Sequence, residues 1–316
     1  TLFRSPALCL NIACRERSGQ GSLKIDSSSA LTTAACEMNK KYLQPSAYLR
    51  KVRFTIAKLL LLLKVPLKVR THVDDMVITF VTTSYTEHVL RARESFRREE
   101  VTMYWLRSIV SPVDVVYDVG ANVGPYSLYA GHKFKRANKE HQVAGVYAFE
   151  PAFSNFFPLC RNIEANELND VVVPFPLAFG KERHETEFFL RSTVTGSALH
   201  GVSQPSSEGK EFDPKFRQGI GVTSLNEFVE NRGVRFPNHI KIDVDGSELD
   251  IIHGANRVLA DLRLKSIMIE VNADLSKGRI EKLITEHGFE EEMVEEWEGK
   301  NTFNKLYLRK ENSSNA

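Results

Sequence analysis

The residues best suited to chemistry lie in D-V-G-A-N-V-G, Asp118 to Gly124, where a carboxylate stands two places before the first of two glycines. Gly120, Ala121, Asn122 and Gly124 make a tight turn in which the backbone can approach a ligand closely. The helix beyond it offers unpaired N–H groups. A dinucleotide fingerprint needs G-x-G-x-x-G, whereas this chain has G-x-N-x-G. Asp118 would repel a pyrophosphate but would face a ligand's positive charge or order water near it. A second carboxylate, Glu150 in A-F-E-P, closes the next apolar run, where an acidic residue can reach ribose hydroxyls. A cationic ligand that carries a ribose points to S-adenosylmethionine. The glycine turn taken alone also fits any strand-turn-helix of an α/β protein.

A second acidic constellation lies further on. In I-K-I-D-V-D-G the period of two puts Ile240, Ile242 and Val244 on one face and Lys241, Asp243 and Asp245 on the other. Ligands of open α/β sheets bind beyond the carboxyl ends of the strands, which gives Asp243, Asp245 and Glu248 an acceptor-side position. Asp245 and Ser247 could instead only cap the helix that follows. Glu270 and Asn272 end the next strand at the same edge. A hydroxyl is a poor nucleophile until its proton leaves, so Asp243, with Glu270 beside it, is the candidate general base. Asp243, Glu270 and Asn272 could alternatively offer three hard oxygen donors to Mg²⁺. Carboxylates and an amide at these two strand ends resemble the metal-dependent catechol-type O-methyltransferases, but their other signatures are missing. The base reading is preferred and no metal ligand is assigned.

These groups must be held by alternating strands and helices. Val113 to Val119 reads as a central parallel strand, and Gly145 to Phe149, Val171 to Val173, Asn238 to Val244 and Lys265 to Val271 as four more, with amphipathic stretches between them. That alternation predicts an α/β fold built of parallel βαβ units. Pro174 and Pro176 are expected to stop regular structure. Ser192 to Gln218 holds Gly196, Gly201, Pro205 and Gly209 and is expected to be a mobile loop. Glu94 to Ile109 reads as a helix with Val101, Trp105 and Ile109 on one stripe, and Arg91, Arg93, Arg97 and Arg98 as a solvated face.

D-V-G-A-N-V-G, A-F-E-P and I-K-I-D-V-D-G-S-E-L-D-I-I-H-G-A together resemble the FkbM family of S-adenosylmethionine-dependent methyltransferases, from about Glu94 to Leu308. The resemblance implies a Rossmann-like class I methyltransferase fold, a mostly parallel seven-stranded sheet with a terminal antiparallel strand. It implies a methyl transfer, usually to a hydroxyl of a sugar, glycan, lipid or polyketide-like acceptor. Leu177-Ala178-Phe179-Gly180 resembles the family segment that passes near the adenine, which adds Ala178 to the cofactor-binding set of Asp118, Gly120, Ala121, Asn122, Gly124 and Glu150. The insertion from Ser192 to Gln218 would lie on the acceptor side as a lid, with Ser197 and His200 joining Asp245 and Glu248 as substrate residues. No N/D-P-P-Y tetrapeptide follows strand 4, which argues against N-methylation. A catalytically silent S-adenosylmethionine-binding module and a nicotinamide-dependent oxidoreductase are the alternative functions.

Composition sets the outer bounds. With 42 basic and 40 acidic residues the formal charge is only +2, which excludes a dedicated nucleic-acid binder; the expected partner is a small molecule or glycan. Cys9, Cys14, Cys36 and Cys160 form no C-x-x-C pair, so neither a zinc site nor a disulfide framework is expected, and Cys160 reads as a reduced core thiol. Residues 1–45 read as disordered or as a targeting segment, 46–93 as a basic helix and strand leading into the core, 94–310 as the methyltransferase domain and 311–316 as a frayed tail. From Ala47 to Val73 there are seven basic residues and no acidic one around the run Leu59 to Leu63. This is either a surface helix packing its leucines on the domain and ended by Pro66, or a basic helix on a membrane surface. A cytoplasmic protein is the default, with organellar targeting or peripheral membrane attachment as alternatives. Oligomeric state is not specified.

Overall fold

A computed structural model describes residues 45–137, 145–231, 233–297 and 301–310, so the expectations for 1–44 and 311–316 lie outside the described residues. The chain divides into two units at Phe54 and Thr55. The described part of the first is the opening of the helix Pro45–Leu62. The second unit begins at Thr55.

Its centre is a seven-stranded sheet: β1 (Val116–Val119), β2 (Val146–Phe149), β3 (Val172–Phe175), β4 (His239–Ile242), β5 (Ser266–Asn272), β6 (Phe289–Glu296) and β7 (Thr302–Arg309). The spatial order is β3-β2-β1-β4-β5-β7-β6. The first five strands are parallel and β7 is antiparallel to both of its neighbours, as expected for a Rossmann-like sheet with a terminal hairpin. The chain leaves β1 toward one edge and returns through β4 to the other. That makes the junction of β1 and β4 the switch point at which open sheets hold ligands.

Both faces of the sheet are covered, and every residue of β1, β2 and β4 is buried. Tyr117, Val119, Phe149, Ile240, Ile242 and Ile269 point to one core with Phe228 and Tyr307; Val116, Ala148 and Met268 point to the other with Phe80, Phe96, Trp105 and Tyr126. On the first face Phe149 lies 4.8 Å from Phe179 and 5.1 Å from Phe228 between ring centres, both edge-on, so this aromatic packing fixes the end of β2. Outside the central sheet, Ala178–Phe179, His184–Leu190, Gly201–Val202 and Phe216–Thr223 form a second sheet, and Leu67–Val73 pairs with Met76–Thr82 in a hairpin.

Four expectations change. Pro174 lies inside β3 rather than ending it; β3 is the sheet edge, where a missing N–H costs no ladder bond. The basic stretch does not stay helical: the helix stops at Leu62, before Pro66, and L-K-V-R-T-H-V alternates as a strand. Leu61 is buried, but Leu59, Leu62 and Leu63 are exposed, so most of that leucine run does not pack on the domain. Cys160 is free as expected, though only half-buried.

Candidate active site

The glycine turn is fixed by contacts from β2 and β4. Gly120 has φ +87°, and a Cβ there would sit 1.8 Å from the carbonyl oxygen of Asp243, so only glycine lets β1 and β4 converge. The N–H groups of Gly120 and Ala121 donate to the Phe149 carbonyl at 3.0 and 2.9 Å. Asn122 N donates to Glu150 Oε2 at 2.9 Å, Val123 N to Asn122 Oδ1 at 3.0 Å, and Gly124 N to Ala121 O at 2.8 Å. Every N–H of the turn is therefore engaged. The N–H groups of Gly120, Ala121 and Asn122 are thus taken by β2 and the carboxylate that follows it.

Glu150 accepts from Asn122 N on one oxygen and from Ala152 N, at 2.8 Å, on the other. Burial pushes its carboxyl up to about 7 against the pull of those two N–H groups. It lines a cavity of about 390 Å³ together with Val119, Gly120 and Asn122 at the end of β1, and with Phe149, Leu177, Ala178 and Phe179 as an apolar wall. Asp243, Asp245 and Glu270 line the other end.

That other end carries a charge network. Lys241, 1% exposed, donates from Nζ to Asp243 Oδ2 at 2.7 Å and lies 5.1 Å from the centre of the Tyr126 ring. Burial opposes its charge, but the carboxylates of Asp243, Glu99 and Asp118 outweigh burial and hold the ammonium above its ordinary range. Glu270 is pushed up to about 9 by burial and by the charges of Asp243, Asp245 and Glu248, so it is protonated at neutral pH. Asp245, at φ +64°, is raised to about 6 by burial and by Asp243; its Oδ2 accepts from Leu199 N at 2.6 Å.

Several expected site residues fall elsewhere. Asp118 is 2% exposed and does not line the cavity; the pleat of β1 turns it toward Lys241, its register partner on β4, and Ser127 Oγ donates to it at 2.5 Å. The positive charge it faces within the fold is this lysine. Ala121 and Gly124 shape the turn without lining the cavity, and a Cβ at Gly124 would lie 2.6 Å from Leu159. Glu248 closes the turn after β4, accepting from Gly246 N at 3.1 Å and Val244 N at 3.3 Å. Neither Asp245 nor Ser247 caps the following helix through its side chain, because Asp245 reaches Leu199 instead and Ser247 makes no capping bond. Asn272 Oδ1 caps the next short helix by accepting from Asp274 N and Leu275 N, so the three-oxygen Mg²⁺ set is not assembled.

The stretch from Ser192 to Gln218 contains short strands, and near its start it is pinned to the domain. Gly196 N donates to Asn155 Oδ1 at 2.8 Å, and the Ser197 carbonyl accepts from Asn155 Nδ2 at 3.0 Å and Asn122 Nδ2 at 2.9 Å. Arg91 Nε donates to the Gly196 carbonyl at 2.9 Å. These anchors are backbone atoms of the loop, which composition does not reveal. Ser197 and His200 both line the cavity, but the Ser197 hydroxyl turns to Ser192. His200 is buried rather than solvated. Burial lowers its pKa to about 4, and Nδ1 accepts from Arg191 N at 3.3 Å, which leaves the ring proton on Nε2. Sequence reasoning missed Glu99, Asn155 and Trp297 as cavity residues, and Arg91 and Arg98 line it while Arg93 and Arg97 stay outside.

A sequence model described as the methyltransferase FkbM domain matches residues 118–291. The chain is 26% identical over 205 residues to the hexuronic acid methyltransferase AglP of Haloferax volcanii, covering 65% of this chain and 75% of that protein. It is 26% identical over 205 residues to the 31-O-demethyl-FK506 methyltransferase FkbM of Streptomyces tacrolimicus, covering 56% and 73%. The crystal structure of Methyltransferase FkbM from Methylobacillus flagellatus aligns with a TM-score of 0.44 and 16% identity over 66% of this chain and 47% of that one.

Proposed function

The chain belongs to the methyltransferase FkbM domain family, and from that premise we propose that it transfers the methyl group of S-adenosylmethionine to a hydroxyl oxygen of a sugar, glycan, lipid or polyketide-like acceptor. The observation that carries the cofactor reading is the junction of Glu150 with a turn whose N–H groups are all engaged. A pyrophosphate finds no donors there and a carboxylate in their place. A ribose finds an acceptor whose two oxygens each keep a further lone pair. The oxidoreductase alternative is disfavoured on the same ground.

The remaining parts of the cavity fit the same ligand. The apolar wall of Phe149, Leu177, Ala178 and Phe179 suits an adenine, and the acidic end suits a sulfonium and an ammonium. When bound, the cofactor supplies an electrophilic methyl; the protein positions the acceptor and takes its proton. Asp243 is the proposed base, held in place by Lys241, because its carboxylate lines the cavity and keeps Oδ1 outside the lysine bond. Glu270, protonated, offers a hydrogen bond beside it. Ser192 to Gln218 forms the acceptor-side roof. The relatives named for a hexuronic acid and for 31-O-demethyl-FK506 support an oxygen acceptor.

Incubation with methyl-labelled S-adenosylmethionine and a panel of glycans, glycolipids and macrolides tests this reading. Label is expected in a methyl ether, with loss in Asp243→Asn. Label transferred to nitrogen would contradict it, and cofactor binding without transfer to any panel member would favour the silent module.

A further inference from the structure

The second unit opens on an outward stripe of apolar side chains that nothing described covers. Ile56, Leu59 and Leu62 follow at intervals of three, and Leu63 continues the last turn through a 3.1 Å bond to the Leu59 carbonyl. They are 53%, 57%, 74% and 66% exposed, whereas Leu61, on the opposite side, is 6% exposed. Helical spacing places the four on one face.

Basic residues accompany this stripe along the chain. Lys58 and Lys64 flank it, and Lys68 and Arg70 stand on the exposed side of Leu67–Val73. None of the four joins an ion pair among the described residues, and no acidic residue occurs from Ala47 to Val73. No described helix is long and apolar enough to cross a membrane.

We infer that this face docks onto an anionic lipid bilayer, with Ile56, Leu59, Leu62 and Leu63 entering the acyl boundary and the lysines meeting lipid phosphates and carboxylates. The charge pattern selects this occupant. A second copy seated on the same face would bring the basic rim against itself. A nucleic acid would satisfy the cations and leave the leucines in water. A bilayer of negative surface charge satisfies both at once.

Sedimentation of the whole chain with vesicles of phosphatidylcholine, and with vesicles containing about one-third phosphatidylserine, tests the inference. At 0.1 M salt, binding to the anionic vesicles should exceed that to the neutral ones by roughly tenfold or more, and 1 M salt should erase the difference. Leu59→Glu with Leu62→Glu should abolish binding, and Lys58→Gln with Lys64→Gln should weaken it by about tenfold or more. Leu62→Ser, at the most exposed position, serves as the milder variant if the double glutamate alters the circular dichroism spectrum. Equal binding to both vesicle types, or binding unchanged by the leucine variants, overturns the inference. So does concentration-dependent self-association removed by those variants without vesicle binding, which assigns the face to a second copy. Protection of Leu59 by residues 1–44 in hydrogen exchange, without vesicle binding, overturns it as well.

Discussion

Lys241 is bound to Asp243, which lies just past the end of β4, and sits beside Asp118, its register partner on the neighbouring strand. One buried ammonium thus joins the sheet centre to the cavity. Replacing it by Met leaves Asp118, Glu99 and Asp243 without their counter-charge. Loss of one partner from a buried pair costs about 3–5 kcal/mol. Urea unfolding of Lys241→Met should show a loss of that size, with partial recovery on adding Asp118→Asn. Unchanged stability would contradict a charged network.

The two carboxyls at the end of the cavity should respond differently to amide substitution. Asp243→Asn removes the proposed base, for which a fall of roughly 10²–10⁴ in kcat is expected. Glu270 already carries its proton below about pH 9, so Glu270→Gln should keep activity within about threefold. EDTA should leave turnover unchanged, since Asn272 is turned to its helix cap. Loss of activity on chelation with recovery on Mg²⁺ would reverse the base assignment.

Cofactor affinity should follow the protonation of Glu150. Burial raises its pKa to about 7, so the proton leaves as pH rises through 7 and the ionised form is the better acceptor for a ribose hydroxyl. Binding of S-adenosylhomocysteine should therefore tighten between pH 6 and 8 and then level off. Glu150→Gln should bind more weakly at pH 8 and show no such slope. A pH-independent affinity in the wild type would sink the ribose assignment.

A proton-ordered chain at the opposite end of the strands sets an acid limit on stability. Trp105 Nε1 donates to Ser266 Oγ at 2.8 Å, Ser266 Oγ lies 2.7 Å from His239 Nδ1, and His239 Nε2 lies 2.9 Å from Asp114 Oδ2. Burial lowers the pKa of His239 below 6.5. The unfolded chain then takes up the proton first, so stability is present above about pH 6.5 and is lost as pH falls below it. Asp114 adds the same sign. Burial works against its charge, but bonds from His239 and Lys265 outweigh burial and hold it below the ordinary range. Ser266→Ala should cost about 1–3 kcal/mol by leaving Trp105 and His239 unpaired, with kcat unchanged. A change in kcat without a change in stability would contradict a structural role.

The strands, the glycine turn and Glu150 were legible because each depends on local pattern: β-branched runs, a residue with φ above zero, and a carboxylate at a strand end. The pairing of Asp118 with Lys241 was not legible, because that lysine comes from a strand distant in sequence and a carboxylate looks the same before a ligand as before a lysine. The stretch from Ser192 to Gln218 looked loose because glycine and proline content says nothing of a carbonyl held by Asn122 and Asn155. Burial of His200 and protonation of Glu270 depend on neighbours that only the fold assembles.

The cavity is proposed to take a cofactor with a ribose and a positive charge rather than a pyrophosphate. Calorimetric titration of the full chain with S-adenosylmethionine, S-adenosylhomocysteine and NAD⁺ tests it most directly. The first two are expected to bind and NAD⁺ is not, with Glu150→Ala weakening the first two by about 1.5–3 kcal/mol. Binding of NAD⁺, or no heat with either adenosyl ligand from a folded protein, would contradict it.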